Sequence, residues 1–243
     1  MDRPWLAIET ATDLASVAVG IPPLAQGAAF VQGARQHAAQ IVSLVDRVLA
    51  PAGVRPEDLE GIVLGDGPGS FTGLRIGWAA AKGLAQESGL SLRAVPSLMA
   101  AAAGAARVLG AVPVAACFDA LRGQVYGAVY VIDAHAVATL VPPLVLTIDE
   151  LAGRSPQRPR LVVGDGALRY ADQVARWSGA APVPLEALGP PAVSLLALLR
   201  RDGAATIIDP ATGEPVYGRP AEAQAKWEAR YGRPLPDPSR RGS

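Results

Sequence analysis

The stretch GDGPGSFTGLRIG, residues 65–77, joins an apolar run (Ile62, Val63, Leu64) to a helical pattern that runs from Leu74 to Glu87. Strand, glycine turn, helix is the unit from which α/β layers are built, and in open α/β sheets ligands bind at such strand ends. Gly67 and Gly69 suit positive φ, with Pro68 fixing the turn between them. Ser70 or Thr72 can cap the helix that follows, whose free N–H groups favour an anion. The loop lacks the Gly-Lys-Ser/Thr ending of a P-loop and the spacing of a dinucleotide fingerprint. A phosphate contact and a purely structural turn both remain open. The candidate phosphate or nucleotide contacts are Thr10, Thr12, Gly67, Gly69, Ser70 and Thr72.

Working outward, the pattern occurs twice. Trp5–Ala11 and Ala15–Ile21 read as a strand hairpin with Thr12 and Asp13 in its turn, 27–33 as a third strand, and Gln36–Ala50 as a helix ended by Pro51 and Gly53. After the glycine loop and its helix come a short strand (92–98) and an alanine-rich helix (Leu98–Leu109). From Val112 the plan repeats: strand, acid, turn, alternating strand, then LVVGDGALRYADQVARW with a second Gly-Asp-Gly. Glu9 and Asp66 in the first half correspond to Asp119 and Asp165 in the second. The segment Thr139–Pro159 reads as a connection with one short strand (Leu144–Ile148), and 190–204 as a helix with proline in its first turn and arginines in its last. The expected division is a first lobe at 1–110, a second at 111–219, and a mobile tail at 220–243.

The chain has 243 residues, half of them hydrophobic, with 22 basic and 22 acidic residues, which suits one large domain or two small ones with no basic field of its own. Any RNA contact is therefore local, with Arg154, Arg158 and Arg160 as a candidate patch, or made by a partner. The lone Cys117 sits in an apolar run, as a buried small hydrophobe would, and fits a reducing, cytoplasmic compartment. No signal peptide or membrane span is read. His37 has no second ligand at i+3 or i+4, and His135 lies in a polar turn, so no metal site is expected. No nucleophile elbow is present, although composition alone leaves a Ser/His/Asp triad open.

The helix after the loop carries small residues every fourth position (Gly73, Gly77, Ala81, Ala85), a stripe along which another element approaches closely. Helix 36–50 has a wider apolar arc than one core face needs, which suggests a subunit interface. The residues expected there are Ile41, Leu44, Val45, Val48, Leu74, Trp78 and Ala81.

Four strings, LAIETATDLASVAV (6–19), GDGPGSFTGLRIG (65–77), FDALRGQVY (118–126) and EPVYGRP (214–220), closely resemble the bacterial TsaB (YeaZ) family, in order and over about residues 4–219. The resemblance implies a duplicated, actin-like (ribonuclease-H-like) two-lobe α/β fold, a degenerate ATPase. It implies a non-catalytic scaffold, with no catalytic residue, in making threonylcarbamoyladenosine next to the tRNA anticodon. It also implies pairing through two first-lobe helices with the catalytic paralogue TsaD or with a second copy, and TsaE, a P-loop ATPase, in the complex. ATP or ADP would lie at the junction with TsaD, and tRNA would be met through the complex. The paralogue would carry a histidine pair where this chain reads RQHAAQ. Other readings stay open: an actin-like ATPase or small-molecule kinase using Glu9, Asp66 and Asp119 around Mg-ATP, an inactive peptidase-like homologue, or a homodimeric scaffold. The tail after Arg219 is longer than the family leads one to expect.

Overall fold

The computed structural model describes residues 3–33 and 37–219. Its strands form one sheet of six and a second of four. In the first, β1 (Trp5–Glu9) pairs antiparallel with β2 (Leu14–Gly20), which pairs antiparallel with β3 (Gly27–Gln32). On its other side β1 runs parallel to β4 (Gly61–Gly65), and β4 to β5 (Ser91–Val95). The second sheet repeats this: β6 (Pro113–Asp119) pairs with β7 (Val125–Ile132), β7 with β8 (Val137–Leu146), and β6 runs parallel to β9 (Leu161–Val163). Glu9 and Asp119 end equivalent strands, and each Gly-Asp-Gly follows the equivalent parallel strand. This is the duplicated actin-like, two-lobe α/β fold.

The central strands β1, β2, β4, β6 and β7 are buried on both faces, which is why they read as near-continuous apolar runs. Leu6, Ile8, Ile62 and Leu64 face one core with helices α1 (His37–Ala52) and α2 (Phe71–Ser88). Trp5, Ala7 and Val63 face a central core. That central layer holds α3 (Ser97–Leu109) and α7 (Pro191–Leu198), squeezed between the two sheets. The alanines of α3 are explained by position: α3 packs on the second sheet and α7 on the first, and small side chains let α3 approach both a sheet and its neighbouring helix closely. The outer face of the second sheet, with Ala115, Cys117 and Val129, is covered by α4 (Ile148–Arg154), α5 (Asp165–Arg169) and α6 (Ala171–Ser178). Cys117 is a fully buried free thiol.

The layers do not follow the sequence division at 110/111. Helix α3 belongs to the first half but packs on β6 and β7, whereas α7 belongs to the second half and packs on β1, β2 and β4. Strand β10 (Thr206–Ile208) then returns to the first sheet, antiparallel to β5.

Two expectations are corrected. Residues 139–159 are not a connection with one short strand. A ten-residue strand, β8, covers most of the first half, and its Pro142 and Pro143 are tolerated because β8 is an edge strand. Helix α4 follows, announced by a capping box in which the Thr147 hydroxyl accepts from Glu150 N and the Glu150 carboxylate accepts from Thr147 N. In α7 the arginines lie past the last turn. Arg201 still reaches back to donate to Ala197 O at 2.7 Å, and Arg200 donates to Pro22 O at 2.9 Å.

Candidate functional site

A cleft of about 790 Å³ opens between the lobes. Its first-lobe wall is the β1–β2 turn, Ala11–Asp13, and the end of the glycine loop, Gly69–Phe71. Its second-lobe wall is the β6–β7 turn with Asp119 and Asp165. The two walls are thus the equivalent strand ends of the duplicated halves.

The glycine loop is built to hold the two first-lobe segments together. Gly67 has φ +105°, a conformation that L side chains rarely adopt, and a Cβ there would sit 2.4 Å from Val216 O. Gly69 was expected to need positive φ as well. It does not: its glycine is explained by space, because a Cβ would fall 2.2 Å from Ala11 O. The same carbonyl accepts from Ser70 N at 2.7 Å, and the Ser70 hydroxyl caps α2 by accepting from Gly73 N at 3.2 Å. The small-residue stripe on α2 serves this junction. A Cβ at Gly73 would lie 2.1 Å from Thr10 O, and one at Gly77 2.3 Å from Thr10 Oγ1.

Of the six candidate contacts, Thr12, Gly69 and Ser70 line the cleft. Thr10 is buried under α2, Gly67 is buried beneath residue 216, and Thr72 points to solvent on α2, so these three do not line it. The Thr12 hydroxyl accepts from Leu14 N at 3.2 Å, the Asx-like turn expected there.

Sequence reasoning missed the strap at 214–219, although EPVYGRP stood out as a string. Val216 N donates to Asp66 O at 2.7 Å, and the Tyr217 ring stacks on Phe71 with centroids 4.6 Å apart. The Arg75 guanidinium lies 4.7 Å over the Phe71 ring and donates to Tyr217 Oη at 3.4 Å. Arg219 crosses to the second lobe, where it donates to Ala120 O at 2.7 Å and to Gln124 Oε1. The strap therefore ties the glycine loop to the opposite wall. In that wall Leu121 (φ 61°) and Arg122 (φ 53°) hold left-handed conformations that cost non-glycine residues energy.

The four strand-end acids divide into two pairs. In the second lobe, Asp119 Oδ2 pairs with Arg169 at 2.9 Å, and Asp165 Oδ1 accepts from Asp119 N at 3.2 Å and Gly166 N at 3.0 Å. Burial raises the Asp165 pKa above the usual carboxylate range. Both acids line the cleft. In the first lobe, Glu9 is buried. Its Oε1 accepts from Ala11 N at 2.8 Å and Ser97 Oγ at 3.1 Å, while Oε2 has no partner among the described residues. Burial raises its pKa. Asp66, in the glycine loop, is pushed up to about 7 by burial and then by the charge of Glu9. Neither lines the cleft. Glu9, Asp66 and Asp119 therefore do not converge on one cavity, and the arrangement does not fit the Mg-ATP site that the kinase reading requires.

The first-lobe pair makes stability depend on pH. The folded chain keeps the Asp66 proton up to about pH 7, while the unfolded chain releases it near pH 4. Folding is thus most favoured at the acid end of this window and loses stability as pH rises through it, by about 1.4 kcal/mol for each unit of displacement. Thermal melts at pH 5–8 are expected to show this fall, and Asp66→Asn to flatten it. An unchanged slope in Asp66→Asn would exclude Asp66 as its source.

The seven residues expected at a partner interface all face inward. Ile41, Leu44, Val45, Val48, Trp78 and Ala81 fill the core between α1, α2 and the first sheet, and Leu74 reaches the central core. Most of the apolar arc of α1 is thus taken up by the sheet beneath it, and Val42 is the part left exposed. Among the residues that α1 and α2 show to solvent are Val42 (67% exposed), Asp46, Ala79 and Gly83, the last with open space where a Cβ would be. The side chain of His37 and the tail after Arg219 lie outside the described residues. His135 is exposed in the β7–β8 turn. No group of three metal-ligating side chains occurs among the described residues, and no helix there is long and apolar enough to cross a membrane.

The family model for TsaD, tRNA N6-adenosine threonylcarbamoyltransferase, matches residues 29–173. The chain is 32% identical to the tRNA threonylcarbamoyladenosine biosynthesis protein TsaB of Bacillus subtilis over 196 residues, which is 79% of this chain and 84% of that protein. It is 40% identical to the Escherichia coli protein of the same name over 132 residues, 54% of this chain; the match spans just over half, 57%, of that relative's length. Among solved structures, YeaZ from Pseudomonas aeruginosa superposes with a TM-score of 0.71 at 29% identity, covering 88% of this chain and all of that one.

Proposed function

Because the chain belongs to the TsaB (YeaZ) family of tRNA threonylcarbamoyladenosine biosynthesis proteins, we propose that it is an accessory subunit of the complex that makes this nucleoside. On this reading it has no activity of its own and supports the transferase TsaD. The observation that carries the reading is the position of Glu9 and Asp66. The chain matches the transferase family model, yet Glu9 is buried and Asp66 is half-buried, and neither lines the cleft, so the pair is not placed to hold a metal–nucleotide complex there. The single histidine of RQHAAQ supports the same conclusion. The chain takes no cofactor alone, and ATP or ADP lies at the junction with TsaD. TsaE joins the assembly, a second copy competes for the same face, and the setting is the cytoplasm.

The pairing face is the solvent side of α1 and α2. Ala79 and Gly83 leave room there for a partner helix, and Val42 supplies exposed apolar surface. Size-exclusion chromatography with light scattering, on the chain mixed with TsaD of the same organism, tests this. A heterodimer is expected, and the double variant Val42→Arg/Gly83→Arg should abolish it while keeping a native circular-dichroism spectrum. If no complex forms with or without nucleotide, the accessory reading fails. ATP turnover by the isolated chain then becomes the measurement, since that is what the kinase reading demands.

A further inference from the structure

Away from the cleft, at the far edge of the second sheet, the chain carries a second cavity of about 520 Å³ between the segment 158–160 and the end of α6. Arg158 and Arg160 both line it. Pro159 between them is buried while both arginines are exposed, so this pair emerges on one side of the segment. The backbone is pinned there, because Arg160 N donates to Pro113 O at 2.7 Å and extends the parallel pairing of β6 and β9 by one residue.

The Arg158 side chain is also placed. Its guanidinium lies against Gly179, the left-handed residue that ends α6, where a Cβ would be 2.3 Å from Nη2. Glycine at this position makes the seat, and the negative end of the helix favours a cation in it. No hydrogen bond or ion pair to another described residue uses the guanidinium donors of Arg158, Arg160 or Arg176, the last of these on the final turn of α6. The local charge is lopsided. Between Arg154 and Ala180 five arginines stand against Asp165 and Asp172, in a chain whose 22 basic and 22 acidic residues cancel. Asp165 and Arg169 are engaged at the cleft, whereas Arg158 and Arg160 line this cavity and Arg176 stands on the last turn of the helix that borders it.

Unpaired guanidiniums are donors suited to phosphate oxygens, and two that emerge together from one pinned segment suit successive phosphates of a chain better than a single anion. We infer that this edge of the second lobe binds a nucleic-acid backbone directly, with Arg158 and Arg160 as the central phosphate contacts. The choice of RNA as the polyanion rests on the function proposed above; the cationic site itself does not. The contact is sequence-independent, since it reaches phosphates and no base edge.

Fluorescence anisotropy with an unmodified tRNA transcript and the full chain tests the inference. Arg158→Ala/Arg160→Ala is expected to weaken binding about tenfold and to lower the slope of log affinity against log salt by about 1.5, the share of two phosphate contacts. Arg47→Ala, an exposed arginine on α1, should leave both unchanged within about twofold. Equal losses in the two variants would overturn the site. So would wild-type affinity weaker than about 10⁻⁴ M at 50 mM salt, the weak limit of non-specific binding. Binding to phosphatidylserine vesicles in place of the transcript would overturn RNA as the partner. The readout involves neither TsaD nor nucleoside formation, so failure here leaves the accessory reading standing, and loss of the TsaD complex leaves this inference standing.

Discussion

Leu44→Arg is expected to unfold the protein rather than to release a partner. Leu44 has no exposed surface and sits mid-helix in the core formed by α1, α2 and the first sheet. The substitution removes a buried leucine and places an unpaired guanidinium among Leu6, Ile8, Val17 and Trp78. An uncompensated buried charge costs about 3–5 kcal/mol. That is a large part of the whole stability of an ordinary domain. Val42, two positions earlier, points to solvent, and Val42→Arg is expected to stay within about 0.5 kcal/mol of the parent. Urea denaturation followed by circular dichroism separates the two. A folded Leu44→Arg protein with near-parental stability would show that α1 turns in solution to present this arc outward, and would return Leu44 to the candidate interface.

The second large effect is expected at Gly69→Val. The added Cβ would fall 2.2 Å from Ala11 O and 2.7 Å from the Ala11 Cβ. Neither neighbour is the free end of a side chain, so the loop itself must move. The hydrogen bond from Ser70 N to the same carbonyl goes first, and with it the start of α2, which Ser70 caps. Overpacking costs about 1–3 kcal/mol, and the lost hydrogen bond and cap add about 1 kcal/mol each. The expected result is a lower melting temperature and weaker pairing with TsaD, read by thermal melts and by co-elution. A folded Gly69→Val protein that pairs at full strength would contradict the structural role assigned to this loop.

The glycine loop packs tightly on the β1–β2 turn and starts α2, while Gly69 and Ser70 also border the cleft. Much of the fold was legible because the duplicated signals are local. Each half has an acid at the end of its first strand and a Gly-Asp-Gly after its parallel strand, and period-2 and period-3.6 patterns lie between them. What was not legible depends on neighbours far along the chain. The apolar arc of α1 was visible at Ile41, Leu44, Val45 and Val48, but periodicity does not say which surface covers an arc. Pro142 and Pro143 argued against a strand, and only the edge position of β8 admits them. The strap was hidden because Tyr217 and Arg219 follow no period. Their role comes from Phe71, Ala120 and Gln124, about 100 or more residues away in sequence. The candidate site suffered most, since a cleft between lobes is defined by the relation of two halves that each look complete on paper.

The placing of α3 and α7 has a last consequence. Each half lends its helix to the other's sheet, and β10 closes the first sheet only after the second has been made. Neither half therefore owns a finished interior. A ribosome that has released the first 110 residues has delivered a sheet with one face bare and an alanine-rich helix with nothing to lie on. The repeated plan of the two sheets therefore does not divide at residue 110 into two self-contained packing units. The chain is one folding unit whose early portion waits, sticky and incomplete, for the late portion to arrive.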